Sequence, residues 1–170
     1  MLSFSYLNVN VKIMKKFRLI FLLMIPLFLF SCDKDDGPYV KIKSIENLIY
    51  QEIRDFRVEE SEDGPFVHQV LMVGEAQIYS YKMANDVVGV NTDGLDEHWD
   101  ALLEKYSFYN LNALVLKTTS LDEDEILDEL LLLTDGEATL LEDLTQCGVG
   151  VESDTEGNNY ITILLAKADS

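Results

Sequence analysis

The chain has 170 residues, 13 of them Lys or Arg and 31 Asp or Glu, with a formal net charge of −18 and a mean hydropathy of +0.04. All 31 acids follow Cys32, so residues 33–170 hold 9 bases against 31 acids and carry a net charge of −22. This acidity excludes a nucleic-acid-binding protein, which needs basic side chains to displace phosphate counterions. The length supports one domain with a hydrophobic core, and two cysteines exclude a large disulfide framework.

The first part of the chain is typical of an export signal. Basic residues at 15, 16 and 18 precede an uncharged apolar run, Leu19–Phe30, which is too short to cross a hydrocarbon core of about 30 Å as a helix. The sequence LFSC at 29–32 resembles a bacterial lipobox, whose cysteine is diacylated and becomes the new N-terminus. We therefore predict a lipid anchor at Cys32, with an uncleaved anchor helix as the alternative. Met14 opens a signal peptide over residues 14–31, and we expect residues 1–13 to be an upstream extension.

Residues 32–43 are predicted to be the lipidated cysteine and an acidic tether, followed by one domain over residues 44–170. Residues 33–38, DKDDGP, resemble the surface-export signal of Bacteroidetes lipoproteins, in which a lysine followed by two acids marks outward transport. A solvated linker on a periplasm-facing anchor has the same composition. We therefore expect an outer-membrane lipoprotein exposed at the cell surface, with a periplasmic orientation as the alternative.

The first half of the domain is predicted to be helical. A first helix is indicated by an apolar stripe at Ile45, Leu48, Ile49, Ile53 and Phe56. A polar loop over residues 58–65 follows. A second helix is expected over residues 66–85, with one face formed by Val70, Val73, Gly74, Ile78 and Tyr81. A third, shorter helix is marked by Leu95, Trp99, Leu102 and Leu103.

The second half of the domain alternates between strand and helix patterns. Residues 112–116 (NALVL) predict a short strand. Ser120 and Glu123 have the spacing of a capping box, which predicts a helix over residues 121–133 with a Leu-rich buried face. Strands at 147–152 and 160–167 flank an acidic loop and predict a terminal hairpin. Together these elements predict an α+β layered domain.

The order of these segments resembles the CAP superfamily of cysteine-rich secretory, antigen 5 and pathogenesis-related proteins, in a bacterial lipoprotein form. The matching segments are IYQEIRDFR ending at Arg57, EAQIYSYKMAN at 75–85, TDGLDEH at 92–98, NAL at 112–114, LLLLTDGE at 130–137 and LTQCGVG at 144–150. The resemblance implies a three-layer α-β-α sandwich with a central cleft and a C-terminal antiparallel hairpin.

In typical members of this superfamily, two histidines and two acids line the cleft and can hold a divalent metal. In this chain Thr92 stands at the first histidine position and Glu137 at the second, while the strand acid falls near Leu111 or Asn112. The region equivalent to the family cleft then comprises Thr92, Asp93, His98, Asn112 and Glu137. Because zinc-type sites need imidazole or thiolate ligands, we expect no metal site, no cofactor and no catalytic residue here. The alternative is a hard cation such as calcium, which the oxygen-rich set Thr92, Asp93, Asn112 and Glu137 would suit.

Four titratable side chains require an interpretation of their own. His98 beside Trp99 is expected to be a surface residue, with a general base as the alternative. Glu137 is expected to be a solvated residue near a helix start, with general acid–base catalysis as the alternative. Cys147 begins an apolar strand and is expected to be a buried, inert thiol, and His68 is expected to serve packing.

The sequence therefore predicts a lipid-anchored CAP-like domain that acts as a non-catalytic binding module. Its expected partners are the outer membrane, through the lipid, and an unidentified small-molecule, lipid or protein ligand, and we expect a monomer. The alternative is a cleft hydrolase or metal-dependent enzyme using His98, Glu137 and Asp93. A third interpretation, based on the charge of −22, is an inhibitor-like or immunity-like partner of a basic protein.

Overall fold

A long antiparallel hairpin forms the middle of the domain. In the computed structural model, which describes residues 40–60 and 64–168, β3 (Gln146–Ser153) pairs with β4 (Asn159–Ala168). β4 also pairs antiparallel with β2 (Phe108–Thr118), and the two-residue β1 (Val67–His68) pairs parallel with β3. The sheet order is β1-β3-β4-β2. The predicted signal peptide, Cys32 and most of the tether lie outside the described residues.

The sheet is covered by helices on both faces, because successive side chains of β4 point to opposite sides. Ile161, Ile163 and Leu165 pack with α1 (Ser44–Glu59), α4 (Glu123–Leu131) and α5 (Gly136–Leu140). Tyr160, Leu164 and Ala166 pack with α2 (Val70–Ala84) and α3 (Asp96–Tyr106). The result is the α+β, three-layer α-β-α sandwich with a C-terminal hairpin that the sequence predicts.

Two glycines let α2 pack directly on β3. A Cβ added to Gly148 would lie 2.3 Å from the carbonyl carbon of Met72, and one added to Gly150 would lie 2.2 Å from that of Ala76. The Ser80 hydroxyl is buried in the same contact, where it hydrogen bonds to the Gly150 carbonyl at 2.9 Å and to the Thr162 hydroxyl at 2.8 Å. The GVG segment thus serves close helix–sheet packing.

Two buried polar side chains join distant segments. The Glu46 carboxylate, fully buried in α1, accepts hydrogen bonds from the Lys43 backbone N–H at 2.7 Å, from Gln77 Nε2 at 2.8 Å and from the Val151 N–H at 3.2 Å. The Arg57 guanidinium, at the other end of α1, donates to the carbonyls of Leu140, Glu142 and Leu144. Arg57 therefore fixes the segment that leads from α5 into β3.

The predicted second helix was wrong in its start and its buried face. It begins at Val70, and Val67–His68 form β1 instead, because their backbone pairs with Gln146 and Cys147. Val70, Ile78 and Tyr81 are exposed, whereas the buried positions are Met72, Val73, Ala76, Tyr79, Ser80 and Met83. This helix is apolar on both sides, so its hydrophobic period could not identify the buried one.

The predicted capping box at Ser120 was also wrong. The fourth helix begins at Glu123, and its N-cap is Asp122, whose side chain accepts the Glu125 N–H at 3.2 Å. Ser120 instead accepts the Asp122 N–H and donates to the Glu125 carboxylate. β2 is longer than the five residues predicted for it.

Within the described part of the chain, no helix combines the length and apolar character needed to cross a membrane.

Candidate functional site

The residues equivalent to the family cleft lie on separate elements. Thr92 and Asp93 are exposed in the turn before α3, where the Asp93 N–H donates to Asn91 Oδ1 at 3.2 Å. Asn112 lies in β2 next to an irregularity of the β2–β4 pairing, and its amide donates to Glu142 at 2.8 Å. Glu137 is exposed in the first turn of α5. Over residues 40–60 and 64–168, no hydrogen bond or ion pair joins any two of the five positions.

These side chains do not form a zinc-type ligand set. The imidazole positions are filled by Thr92 and Glu137, which supply oxygen instead of nitrogen, and the amide nitrogen of Asn112 is bonded to Glu142. Among the described residues, no group of three or more His, Cys, Asp and Glu side chains is arranged to hold a metal ion.

His98 lies in a buried cluster between α2 and α3, with 5% of its surface exposed. Its Nδ1 is 2.6 Å from Glu75 Oε2, and its Nε2 is 3.1 Å from Lys82 Nζ. The Tyr79 ring meets the imidazole edge-on, with the ring centroids 5.6 Å apart. The expectation that His98 lies at the surface was wrong. Its ring can be buried because Glu75 and Lys82, both on the preceding helix, satisfy its two nitrogens.

Both ring nitrogens of His98 are engaged within the protein. Lys82 is a donor only, so Nε2 accepts from its ammonium, and the proton on Nδ1 is donated to Glu75. Neither nitrogen is left to take a proton from a substrate or to bind a metal. In the described part of the chain, Glu137 and Asp93 make no hydrogen bond to this cluster, and α5 packs on the opposite face of the sheet from α3. The three candidate enzyme residues therefore do not form one site.

A second titratable cluster lies where β1 meets β3. The His68 ring stacks on Tyr50 at 4.5 Å between centroids, and its buried nitrogens have no hydrogen-bond partner among the described residues. Burial lowers the pKa of His68 to about 4. Its strand neighbour Cys147 is fully buried, and desolvation raises the pKa of the thiol. The burial of this thiol, predicted from the sequence, is confirmed, and its low reactivity stays a prediction.

A polar cavity of about 390 Å³ lies at the tip of the β3–β4 hairpin, against the end of α2. Hydrogen bonds from the Asn158 side chain, the Asn158 and Glu156 N–H groups and the Tyr160 hydroxyl lower the pKa of Asp154 to about 2. Lys117 lies over the Tyr160 ring at 5.0 Å, and its hydrogen bond to the Tyr160 hydroxyl raises its pKa.

This cavity is separate from the family-equivalent positions. Lys117 pairs with Tyr160 at one end of the β2–β4 ladder, and Asn112 pairs with Leu165 five residues away on β2, which is about 17 Å along a strand. The sequence alone indicates a solvated turn for the acidic loop. Its composition could not have located a cavity there, because the end of α2 is brought to the loop only by the fold.

No protein-family model and no curated protein matches the chain. Among solved structures, an outer surface protein from Borrelia burgdorferi is similar, with a TM-score of 0.63 and 14% identity over 76% of this chain and 97% of that protein. An extracellular protein containing an SCP domain from Bacillus anthracis is similar with a TM-score of 0.56 and 20% identity over 74% of this chain. The match spans 42% of that longer protein. With the layer order and hairpin described above, these similarities show that the domain has the CAP-like (SCP) fold.

Proposed function

We propose that this protein is an exported, lipid-anchored CAP-like domain that binds a partner or ligand without catalysing a reaction. The observation that carries the proposal is the state of His98. If the protein were an enzyme, the His98 imidazole would be its candidate general base. That ring is buried, with one nitrogen bonded to Glu75 and the other to Lys82. Glu137 and Asp93 lie outside that cluster, so the alternative of a hydrolase or metal-dependent enzyme has no assembled site.

Export and anchoring are supported by the N-terminal sequence. The basic residues, the apolar run and Cys32 have the order of a lipoprotein signal. The two similar solved structures are described as an outer surface protein and an extracellular protein, which agrees with an exported domain. The resemblance of residues 33–38 to a surface-export signal favours display on the cell surface.

The anchor is tested by replacing Cys32 with Ser in the full chain. The native protein should incorporate a radioactive fatty acid and sediment with membranes, whereas the Cys32→Ser variant should do neither. Cys147→Ser is the matched control, because that thiol is fully buried and should leave labelling unchanged. If the Cys32→Ser variant still carries label or still sediments with membranes, the protein is not anchored through this cysteine.

The binding role is tested by thermal shift of the full chain against divalent metals, sterols, fatty acids and glycans. A stabilising ligand raises the melting temperature in proportion to the logarithm of its concentration over Kd. We expect a shift with an organic or protein ligand and none with Zn²⁺ or Ca²⁺. A Zn²⁺ shift abolished by Glu137→Ala would contradict the proposal and favour the metal-dependent alternative.

A basic protein partner is favoured by the net charge of −22 on residues 33–170. Attraction between exposed charges is screened over about 8 Å at physiological ionic strength. Capture of such a partner by the immobilised protein should therefore weaken strongly as salt is raised. Capture that does not change with salt would instead indicate an apolar interface.

A further inference from the structure

The outward side of α2 is apolar although the chain is strongly acidic. This 15-residue helix has one acid, Glu75, and one base, Lys82. Its outward positions fall within an arc of about 100°, and we call them the outer stripe: Val70, Leu71, Gly74, Ile78 and Tyr81. Ile78 and Tyr81 are 48% and 58% exposed. A helix that is apolar on both sides is ordinarily covered on both.

The described part of the chain begins on this stripe. Val40 lies against Gly74, since a Cβ added there would be 2.8 Å from Val40 Cγ2. The next residue is fixed by Gln77, whose amide donates to the Lys41 carbonyl at 3.1 Å. Val40 follows the predicted lipidation site, Cys32, by eight residues. A chain of that length extends at most about 29 Å, which limits how far the anchor can be from the point where Val40 meets the outer stripe.

Charge around the stripe is unlike that of the rest of the domain. The sole acid of α2, Glu75, is bonded to His98, and bases at positions 41 and 82 flank the stripe. α2 itself therefore contributes no unpaired acid that would repel an anionic lipid surface, and the nearby Glu97 of α3 is paired with Lys82 at 3.7 Å. By contrast, the exposed Val58 directly precedes two acids, Glu59 and Glu60.

We propose that the outer stripe of α2 rests on the bilayer to which Cys32 is anchored. The inference depends on the lipid anchor of the proposed function. Anchoring makes the contact effectively intramolecular, so a small apolar surface is sufficient to hold it. Tyr81 suits this position, because tyrosine places its ring in apolar surroundings and its hydroxyl in the polar headgroup region. The domain then lies with its hairpin layer above α2 and with α1 and α4 facing away from the membrane.

The test places an environment-sensitive fluorophore on the full, acylated chain in phosphatidylethanolamine/phosphatidylglycerol vesicles. Ile78→Cys carries the label on the outer stripe. Leu132→Cys, at the end of α4 with 86% exposure, carries it on the opposite layer. Cys147 is fully buried and does not compete for the label. We expect a lipid-attached quencher to quench the label at residue 78 several-fold more than the label at 132, and a water-soluble quencher to do the reverse.

Each alternative result overturns the inference in a recognisable way. Equal quenching of the two labels on a chain that remains in the vesicles would show that the domain is anchored but does not rest on α2. Loss of the chain from the vesicles would refute the anchor itself, and with it both proposals. Shielding of the label at 78 without lipid, together with twice the monomer mass, would show that a second copy covers the stripe. Both labelled variants should have the same denaturant midpoint of unfolding as the native protein, since neither site is buried.

Discussion

His98 Nδ1 lies 2.6 Å from Glu75 Oε2, and this part-buried hydrogen bond joins α3 to α2. The other ring nitrogen faces Lys82 Nζ at 3.1 Å, so the imidazole bridges an acid and a base of the same helix. Glu75 and Lys82 are two turns apart on α2, and His98 holds both. This arrangement makes His98 a structural element of the layer, whereas the sequence pattern placed it on the surface.

Replacing His98 should therefore destabilise the fold. In His98→Ala, Glu75 and Lys82 lose their buried partner and a cavity opens beside Tyr79, so we expect a loss of about 2 kcal/mol or more in the free energy of unfolding. Urea denaturation measures it. The control is Glu97→Ala on the same helix, whose ion pair with Lys82 at 3.7 Å is solvent-exposed on the Glu97 side and should be worth less than about 0.5 kcal/mol. Equal losses in both variants would contradict the structural role of His98.

Arg57 should be among the most sensitive positions in the domain. Its guanidinium satisfies the carbonyls of Leu140, Glu142 and Leu144 from a site that is 3% exposed. Arg57→Ala leaves these acceptors without their donor, and we expect a loss of about 3 kcal/mol. Arg57→Lys should recover little of it, because one ammonium cannot reproduce a planar fork of donors.

The control for Arg57 is Arg54 on the same helix. Arg54 pairs with the neighbouring Asp55 at 2.6 Å, and both side chains are exposed. Arg54→Ala should change the free energy of unfolding by less than about 0.5 kcal/mol. An Arg57→Ala variant that unfolds at the same urea concentration as Arg54→Ala would show that the 140–144 segment does not depend on Arg57.

The elements found correctly from sequence are those whose pattern is local. The ends of the hairpin strands were each placed within one residue, because β-branched and apolar residues surround a loop of turn-forming residues. The helix stripe of α1 was correct at Ile49 and Ile53, which are fully buried. β1 was missed, since two residues have no period, and their strand character depends on pairing with β3, almost 80 residues later.

The candidate site was predictable only in part, for a similar reason. The absence of imidazoles at positions 92 and 137 is visible in the sequence, as is the apolar surrounding of Cys147. The burial of His98 is not, because its partners, Glu75 and Lys82, belong to another helix, 23 and 16 residues earlier. The hairpin cavity is likewise invisible in the sequence, because Asp86 and Glu156, which both line it, are brought together only by the fold.

Gly150 should tolerate no side chain. An added Cβ would meet the backbone of Ala76 at 2.2 Å, and backbone cannot move aside as a flexible side chain can. We expect Gly150→Ala to cost about 3 kcal/mol or more, since α2 must shift away from β3. Gly64→Ala is the matched control, because no atom of the described residues lies within 4 Å of its Cβ position. A Gly150→Ala variant as stable as Gly64→Ala would contradict the close approach of the helix to the sheet.

Cys147 should react only when the domain opens. The thiol is fully buried, and desolvation raises its pKa, so the reactive thiolate is scarce in the folded protein. An aromatic disulfide reagent should leave Cys147 unmodified in native buffer and modify it at the rate of unfolding in urea. Ile78→Cys, on the outer stripe, should react at once under native conditions. Immediate reaction of Cys147 in the native chain would contradict its burial.

His68 links stability to pH through its position against Tyr50. The rings are stacked at 4.5 Å, and the buried His68 nitrogens have no hydrogen-bond partner in the described part of the chain. A protonated ring in this position would carry a charge with no compensating acceptor. Burial accordingly lowers the pKa of His68 from 6.5 to about 4.

Lowering the pH should destabilise the fold through His68, because the unfolded chain binds the proton at a higher pH than the folded one. Between pH 6.5 and about 4, His68 is protonated in the unfolded chain but neutral in the folded one. The unfolded state is therefore favoured as pH falls, and the contribution is constant above this window and below it. Because the side chain is only half-buried, we expect a loss on the order of 1 kcal/mol. His68→Phe keeps the stacking on Tyr50 but cannot titrate, so its urea midpoint should fall less than that of the native chain between about pH 7 and about pH 4.5. If both midpoints fall equally, the acid sensitivity of the domain arises elsewhere.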